Sequence, residues 1–358
     1  MRILQISSAR SIGGGERHVA DLSNELAERG HDVFAALVPG SPMRAEMFRL
    51  PSENIAEFPL RNALDISSAI KIGKFARDNQ IELINAHFAK DYPVAAAAAR
   101  IAGITFVITR HVLFPMNRMH GIFLRGVKFV IAPSNAVADA LRTHGPFPAE
   151  KIVTIRYGLD VSKFPEGVAV PHSDPTVGSI GNLDPVKGFD VLIRAADIVS
   201  KEIHDVKFKI VGEDRSRDRR NEKELRDLVT RLNLADIVEF VGWSDDVGQL
   251  LKGFDVFVSA SRSESFGFVI AEAMLAGVPV IATQTEGARE LISDPSLGKL
   301  VPIGSHEELA DGILELLNDR DKRAQAVQNG RKHVEDAFSL RRTVDETEDL
   351  YQRVIVAC

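Results

Sequence analysis

Short apolar runs alternate with amphipathic stretches along almost the whole chain. Residues 2–7 (Arg-Ile-Leu-Gln-Ile-Ser) read as a strand, 15–29 as an amphipathic helix ended by Gly30, and 32–37 as a second strand. Further strands are expected at 82–86, 105–109, 129–132 and 152–155, with helices between several of them. Such alternation is the pattern of parallel βαβ units joined by right-handed crossovers.

The pattern breaks at residues 163–175, where Phe164-Pro-Glu-Gly and Val170-Pro-His-Ser-Asp-Pro read as a linker. It restarts at 176–180 and continues through strands at 206–211, 237–241, 256–259 and 278–282. Three helical stretches close the chain, from Ser305, Asp319 and Ser339 onward. The expectation is an α/β protein with two doubly wound, parallel-sheet, Rossmann-like domains facing across a cleft. The first would span residues 1–165 and the second 174–339, with a last helix at about 340–358 packing back on the first. Ligands of such sheets sit at the carboxyl ends of the strands.

A length of 358 residues suits two domains of ordinary size, and 45% hydrophobic with 26% charged residues is a globular composition. The single cysteine, Cys358, excludes an internal disulfide and a thiolate metal cluster, which fits a reducing, cytoplasmic setting. Residues 1–7 read as a short strand rather than a leader peptide. The most apolar window, 92–109, contains Arg100 and Gly103 and reads as a helix followed by a buried strand, short of a membrane span. The net charge of -6 divides unevenly, with +5 over residues 1–165 and -11 over the remainder. Five bases (Arg100, Arg110, Arg118, Arg125 and Lys128) and no acid lie between Tyr92 and Ala138, a bias that bears on partners. Nucleic acid is not among the partners expected.

Three motifs carry candidate chemistry. Gly13-Gly14-Gly15-Glu16 follows the first strand and opens a helix, so backbone at Gly14 and Gly15 can approach a phosphate. Position 18, where a dinucleotide fingerprint needs a glycine, is His18, so a dehydrogenase reading fails, and a purely structural turn stays open. Gly181-Asn182-Leu183-Asp184-Pro185-Val186-Lys187-Gly188 follows the first strand of the second half. Lys187 there is either a point charge for a diphosphate or a solvated lysine that the helix dipole disfavours. Glu264-Ser265-Phe266-Gly267-Phe268 precedes a helix reaching Ala276, and Glu272 lies inside that helix among apolar neighbours. The amides of residues 266–268 would bind an anion or hydroxyl. A carboxylate such as Glu272 needs a partner, either sugar hydroxyls or a buried salt bridge.

In this order and spacing the chain resembles the retaining glycosyltransferases of GT-B type in the large family 4, which includes bacterial mannosyltransferases and lipopolysaccharide-core glucosyltransferases. The resemblance covers nearly the whole chain. It takes in the three motifs above, Ser134-Asn-Ala-Val-Ala, Tyr157-Gly-Leu-Asp160, Gly242, Asp255-Val-Phe-Val-Ser259, Pro279-Val-Ile-Ala and Glu286-Gly-Ala-Arg-Glu290. It implies that Gly14 approaches the donor phosphate, Lys187 holds the diphosphate and Glu264 lies beside the donor sugar. Glu272 would bind the ribose hydroxyls, and His111 would contact the donor sugar or support the reacting centre. Without that resemblance, a histidine at a strand end reads as a capping residue. The family usually carries arginine where this chain has Asn182; Arg17, Arg110 and Arg262 are candidates to compensate.

No cofactor and no metal are expected beyond the nucleotide sugar that serves as donor. The one Asp-x-Asp, Asp319-Arg-Asp321, reads as a helix start. Departing phosphate would be stabilised by charge and helix termini. Residues 111–129 interleave Phe114, Met116, Ile122 and Phe123 with Arg118, Arg125 and Lys128. They fit either peripheral contact with an anionic membrane at its inner face or ordinary packing on the sheet. The resemblance implies that, with Arg110, they mark the side for a glycolipid or polysaccharide acceptor. Two other functions compete: a nucleotide-sugar 2-epimerase and a catalytically inactive subunit, the latter kept open by Asn182.

Overall fold

The computed structural model describes residues 1–114, 116, 119–164, 174–244 and 246–356. Arg118, Cys358 and most of the expected linker lie outside them. The chain divides into two compact units, Met1–Gly158 with Leu340–Cys358, and Leu159–Ser339.

The first unit is built on seven parallel strands, β1 (Arg2–Ser7), β2 (Asp32–Leu37), β3 (Ile55–Glu57), β4 (Leu83–Ala86), β5 (Thr105–Thr109), β6 (Val130–Ala132) and β7 (Ile152–Thr154). Their order is β3-β2-β1-β4-β5-β6-β7, so the order reverses between β1 and β4. The helices are α1 (Gly14–Glu28), α2 (Met43–Glu46), α3 (Ile66–Asp78), α4 (Tyr92–Ala102), α5 (Met119–Phe123) and α6 (Asn135–His144). Strand β1 is buried on both faces, as a central parallel strand must be. Leu4 and Ile6 pack with Ile72, Ala95 and Ile108 on one side, while Ile3 packs with Val19, Leu22 and Leu26 of α1 on the other. Helix α1 buries Val19, Leu22 and Leu26 at helical spacing, and the side chain of Glu16 accepts from the amide of Gly13, 3.1 Å away, to close its first turn.

The second unit carries six parallel strands, β8 (Thr176–Ile180), β9 (Lys207–Val211), β10 (Val238–Gly242), β11 (Val256–Ser259), β12 (Val280–Thr283) and β13 (Lys299–Val301). Their order is β10-β9-β8-β11-β12-β13, and it reverses between β8 and β11. Helices α7 (Phe189–Glu202), α8 (Arg220–Arg231), α9 (Val247–Leu251), α10 (Phe268–Leu275), α11 (Glu286–Leu291), α12 (His306–Asn318) and α13 (Arg320–Ala337) surround it. The unit begins at Leu159, ahead of the Pro/Gly-rich stretch, because Leu159 donates its amide to the Phe338 carbonyl at 2.8 Å and bridges Ser339. Asp319 caps α13 by accepting from the Lys322 amide at 3.0 Å, which gives that acidic pair a structural role.

The chain then returns to the first unit as α14 (Leu340–Val356). Arg29 pairs with Asp345 and Glu348 of this helix at 2.7 and 2.9 Å, and Tyr351 is buried with its hydroxyl 2.7 Å from the Asn85 amide. Two short edge strands, β3 and β13, escaped the sequence reading.

Candidate functional site

Each unit places a glycine turn and the candidate side chains beside it at the carboxyl edge of its own sheet, where strand order reverses. In open α/β sheets this crevice is where ligands bind.

In the first unit β1 runs into the glycine turn that opens α1, β4 into His87, and β5 into Arg110 and His111. The ring of His111 lies against Gly15: a Cβ added there would come 3.3 Å from its Cγ. Gly14, by contrast, is the first residue of α1, at the end of the helix where free amides face outward. His111 meets the Tyr157 hydroxyl through Nδ1 and His87 Nδ1 through Nε2, the latter at 3.1 Å. His87 Nε2 lies 2.8 Å from Gln5 Oε1, and His18 stands edge-on to the Tyr157 ring with centroids 4.6 Å apart. All five side chains are buried. Burial alone pushes the His18 imidazole down to about 3. His87 and His111 are held well below the ordinary histidine value, first by burial and then by neighbouring charge.

Sequence reasoning found His111 and missed Gln5, His18 and His87, and it quoted Tyr157 only as part of a motif. One signal was available: a glutamine in the middle of an apolar central strand needs a buried polar partner.

The four bases on the acceptor side separate. Arg110 is buried and donates to the Phe114 carbonyl, whereas Arg125 and Lys128 are exposed; Arg118 falls outside the described residues. Helix α5 is five residues long, so the segment is not one continuous amphipathic helix. Phe114 is 78% exposed, with Ile122 and Phe123 also at the surface, while Leu124 and Val127 turn into the core.

In the second unit Asp184 caps a single 3-10 turn, Pro185–Lys187, by accepting from the Val186 amide at 2.9 Å. Gly188 ends that turn at φ +67°, pressed so close to β11 that a Cβ would lie 2.0 Å from the Ala260 carbonyl oxygen. Lys187 is thereby set just before α7, its stem passing over Gly181 and its Nζ donating to Glu264 Oε2 at 2.7 Å. Ser261 Oγ donates to the same oxygen at 3.3 Å. Asn182 accepts from the Asp184 amide through its carbonyl, 2.7 Å away. Arg262 is committed to Asp190 at 2.8 Å and to the Pro185 carbonyl at 2.6 Å, so it braces the Lys187 turn.

Gly267 precedes α10 at φ +96°, a conformation that suits glycine. The Phe266 ring is buried edge-on to Phe268, centroids 5.0 Å apart, so what Phe266 and Gly267 offer a ligand is backbone. Glu272 is buried on α10, four residues after Phe268. Among the described residues no group of three or more His, Cys, Asp or Glu is placed to hold a metal ion. No helix among them is long and apolar enough to cross a membrane.

Two parallel α/β units with such clusters at their switch points define a glycosyltransferase of GT-B fold. Residues 160–333 match the model for glycosyl transferases group 1, and residues 12–163 match that for glycosyltransferase family 4. The chain belongs to this family of glycosyltransferases. It is 25% identical to the N-acetyl-alpha-D-glucosaminyl L-malate synthase of Bacillus anthracis, over 96% of this chain and 95% of that one. It is 28% identical to the lipopolysaccharide core biosynthesis glycosyltransferase LpsE of Rhizobium meliloti, over 93% and 94%. HepE of Anabaena, crystallised with UDP, superposes with a TM-score of 0.87 at 26% identity, over 99% of this chain and all of that one. The same protein has been crystallised with UDP-glucose.

Proposed function

We propose that the chain moves a sugar, with retention and without a metal ion, from a nucleotide-diphosphate sugar to a hydroxyl of a cell-envelope glycolipid or polysaccharide. The observation that carries this reading is Lys187 Nζ at 2.7 Å from Glu264 Oε2, on the carboxyl edge of the second sheet. A cation tethered there by one carboxylate is ready to turn to a diphosphate, whose charge it would neutralise as the sugar leaves. Backbone at residues 265–268 would hold the sugar hydroxyls, and Glu272 the ribose. The bond from the anomeric carbon to phosphate breaks with its electron pair passing to the phosphate. The acceptor oxygen bonds to the same face, and its proton passes to the departing phosphate oxygen.

The names of LpsE and HepE support the donor and acceptor classes: the first acts in lipopolysaccharide core synthesis, and the second binds UDP and UDP-glucose. Exposed Phe114, Ile122 and Phe123 beside Arg125 and Lys128 favour contact with an anionic bilayer at its cytoplasmic face.

The test is thermal stability against UDP-, GDP-, ADP- and CDP-sugars in EDTA. A ligand at about a hundred times its Kd stabilises by roughly 2.7 kcal/mol. One nucleotide should raise Tm in wild type and fail to do so in Lys187→Ala. No shift with any of the four would sink the donor site. Product NMR then reads the anomeric configuration, and an inverted product would refute retention.

A further inference from the structure

Both ring nitrogens of His111 are engaged within the first unit. Nδ1 meets the Tyr157 hydroxyl, and Nε2 lies 3.1 Å from Nδ1 of His87, whose Nε2 is 2.8 Å from Gln5 Oε1. A carbonyl oxygen only accepts, so His87 carries its proton on Nε2 and accepts on Nδ1. The proton on His111 is therefore also on Nε2, and its Nδ1 accepts from Tyr157. Each donor in this chain faces one acceptor, and the direction is set from the Gln5 end. A second proton on His87 would set its Nδ1–H against the Nε2–H of His111. Burial, the main cause of their lowered proton affinity, keeps both rings neutral.

We propose that His87 and Tyr157 are positioning residues that hold His111 as its neutral Nε2–H tautomer, ring fixed against the glycine turn at Gly15. This rests on the reading of His111 as part of the reacting centre. It also assigns His111 a role without proton transfer, since its one proton and its one lone pair are both committed to protein partners. The ring supplies a fixed neutral surface beside α1, and its orientation is what the two partners protect.

The test is imidazole nitrogen NMR on the full chain at pH 7, with histidine labelled in the ring and His111 assigned by its loss in His111→Gln. Wild type should show His87 and His111 neutral with the proton on Nε2. Tyr157→Phe should move the His111 Nδ1 signal, which loses its hydrogen bond, with the proton still on Nε2. It should also lower turnover of UDP-glucose roughly tenfold, the rate equivalent of one hydrogen bond, at unchanged KM. His87→Asn, which keeps an acceptor on Cγ, should retain more turnover than His87→Leu; if the leucine variant does not fold, the asparagine variant still reports the tautomer. A charged ring or an Nδ1–H tautomer in wild type overturns the proposal, as does a Tyr157→Phe spectrum identical to wild type. Absence of UDP release from UDP-glucose by the wild type would count against the functional reading for that donor, while the ring spectra would still decide this one.

Discussion

Gly15 and His111 are in contact across the first unit's switch point, the histidine ring packed where any larger residue would place its Cβ, 3.3 Å from Cγ. A methyl group at position 15 fits only if the ring gives way by a few tenths of an ångström. Helix α1 itself gains from the change, because alanine loses less chain entropy than glycine, by roughly 0.5–1 kcal/mol. Gly15→Ala should therefore keep or raise Tm while lowering turnover. Loss of activity together with loss of stability would mean that the contact is only packing.

Lys187 and Glu264 face a different test. A charge-assisted hydrogen bond to a diphosphate is worth about 1.5–3 kcal/mol, so Lys187→Ala should weaken nucleotide-sugar binding by between roughly tenfold and a hundredfold. Glu264→Gln frees the lysine and should spare binding while slowing transfer. Titration calorimetry with the nucleotide sugar, alongside initial rates, separates the two. Equal affinity in Lys187→Ala and wild type would remove the lysine from the donor site.

Much of this was legible in the sequence. Strands β1, β2, β5, β8 and β11 fall at the expected residues because buried parallel strands are apolar runs bounded by polar turns. Ser305 and Asp319 announced their helices by their side chains. The turn at Lys187 and the loop before α10 followed from glycine spacing. What stayed hidden depends on residues far apart in the chain: Gln5, His87, His111 and Tyr157 are joined only once β1, β4 and β5 lie side by side. Arg110 and Arg125 look alike as letters, yet one is buried and the other exposed. Arg262, a candidate phosphate ligand by composition, is spent on Asp190 and Pro185.

Gly188 links fold to site most directly. Its positive φ and the Ala260 carbonyl oxygen 2.0 Å from any Cβ leave no room for a side chain. Strained backbone and overpacking each cost about 1–3 kcal/mol, so Gly188→Ala should destabilise by at least roughly 2 kcal/mol. Urea unfolding measures it. Because Lys187 is the preceding residue, nucleotide binding should fall as well, even well below the melting temperature. A variant of wild-type stability would contradict the close approach.

Three buried imidazoles make stability depend on pH. His18 titrates at about 3 in the folded chain, and His87 and His111 lie well below the ordinary value of 6.5. Below about pH 6.5 the unfolded chain takes up protons that the folded chain refuses. Stability is thus full above that pH and falls as pH drops. Asp91 opposes this: burial, only partly offset by its bonds from Ser8, raises it to about 6, so between about 4 and 6 the folded state holds one proton more than the unfolded. Three histidines outweigh one aspartate, so the net effect is stability lost as pH falls from about 6.5 toward 5. Urea unfolding at pH 7.5 and 5 should show that loss, and His18→Gln should lessen the slope by about one proton. A flat profile between those values would mean that the histidines are charged in the folded chain, and the hydrogen-bonded chain from Gln5 to Tyr157 could not then exist as drawn.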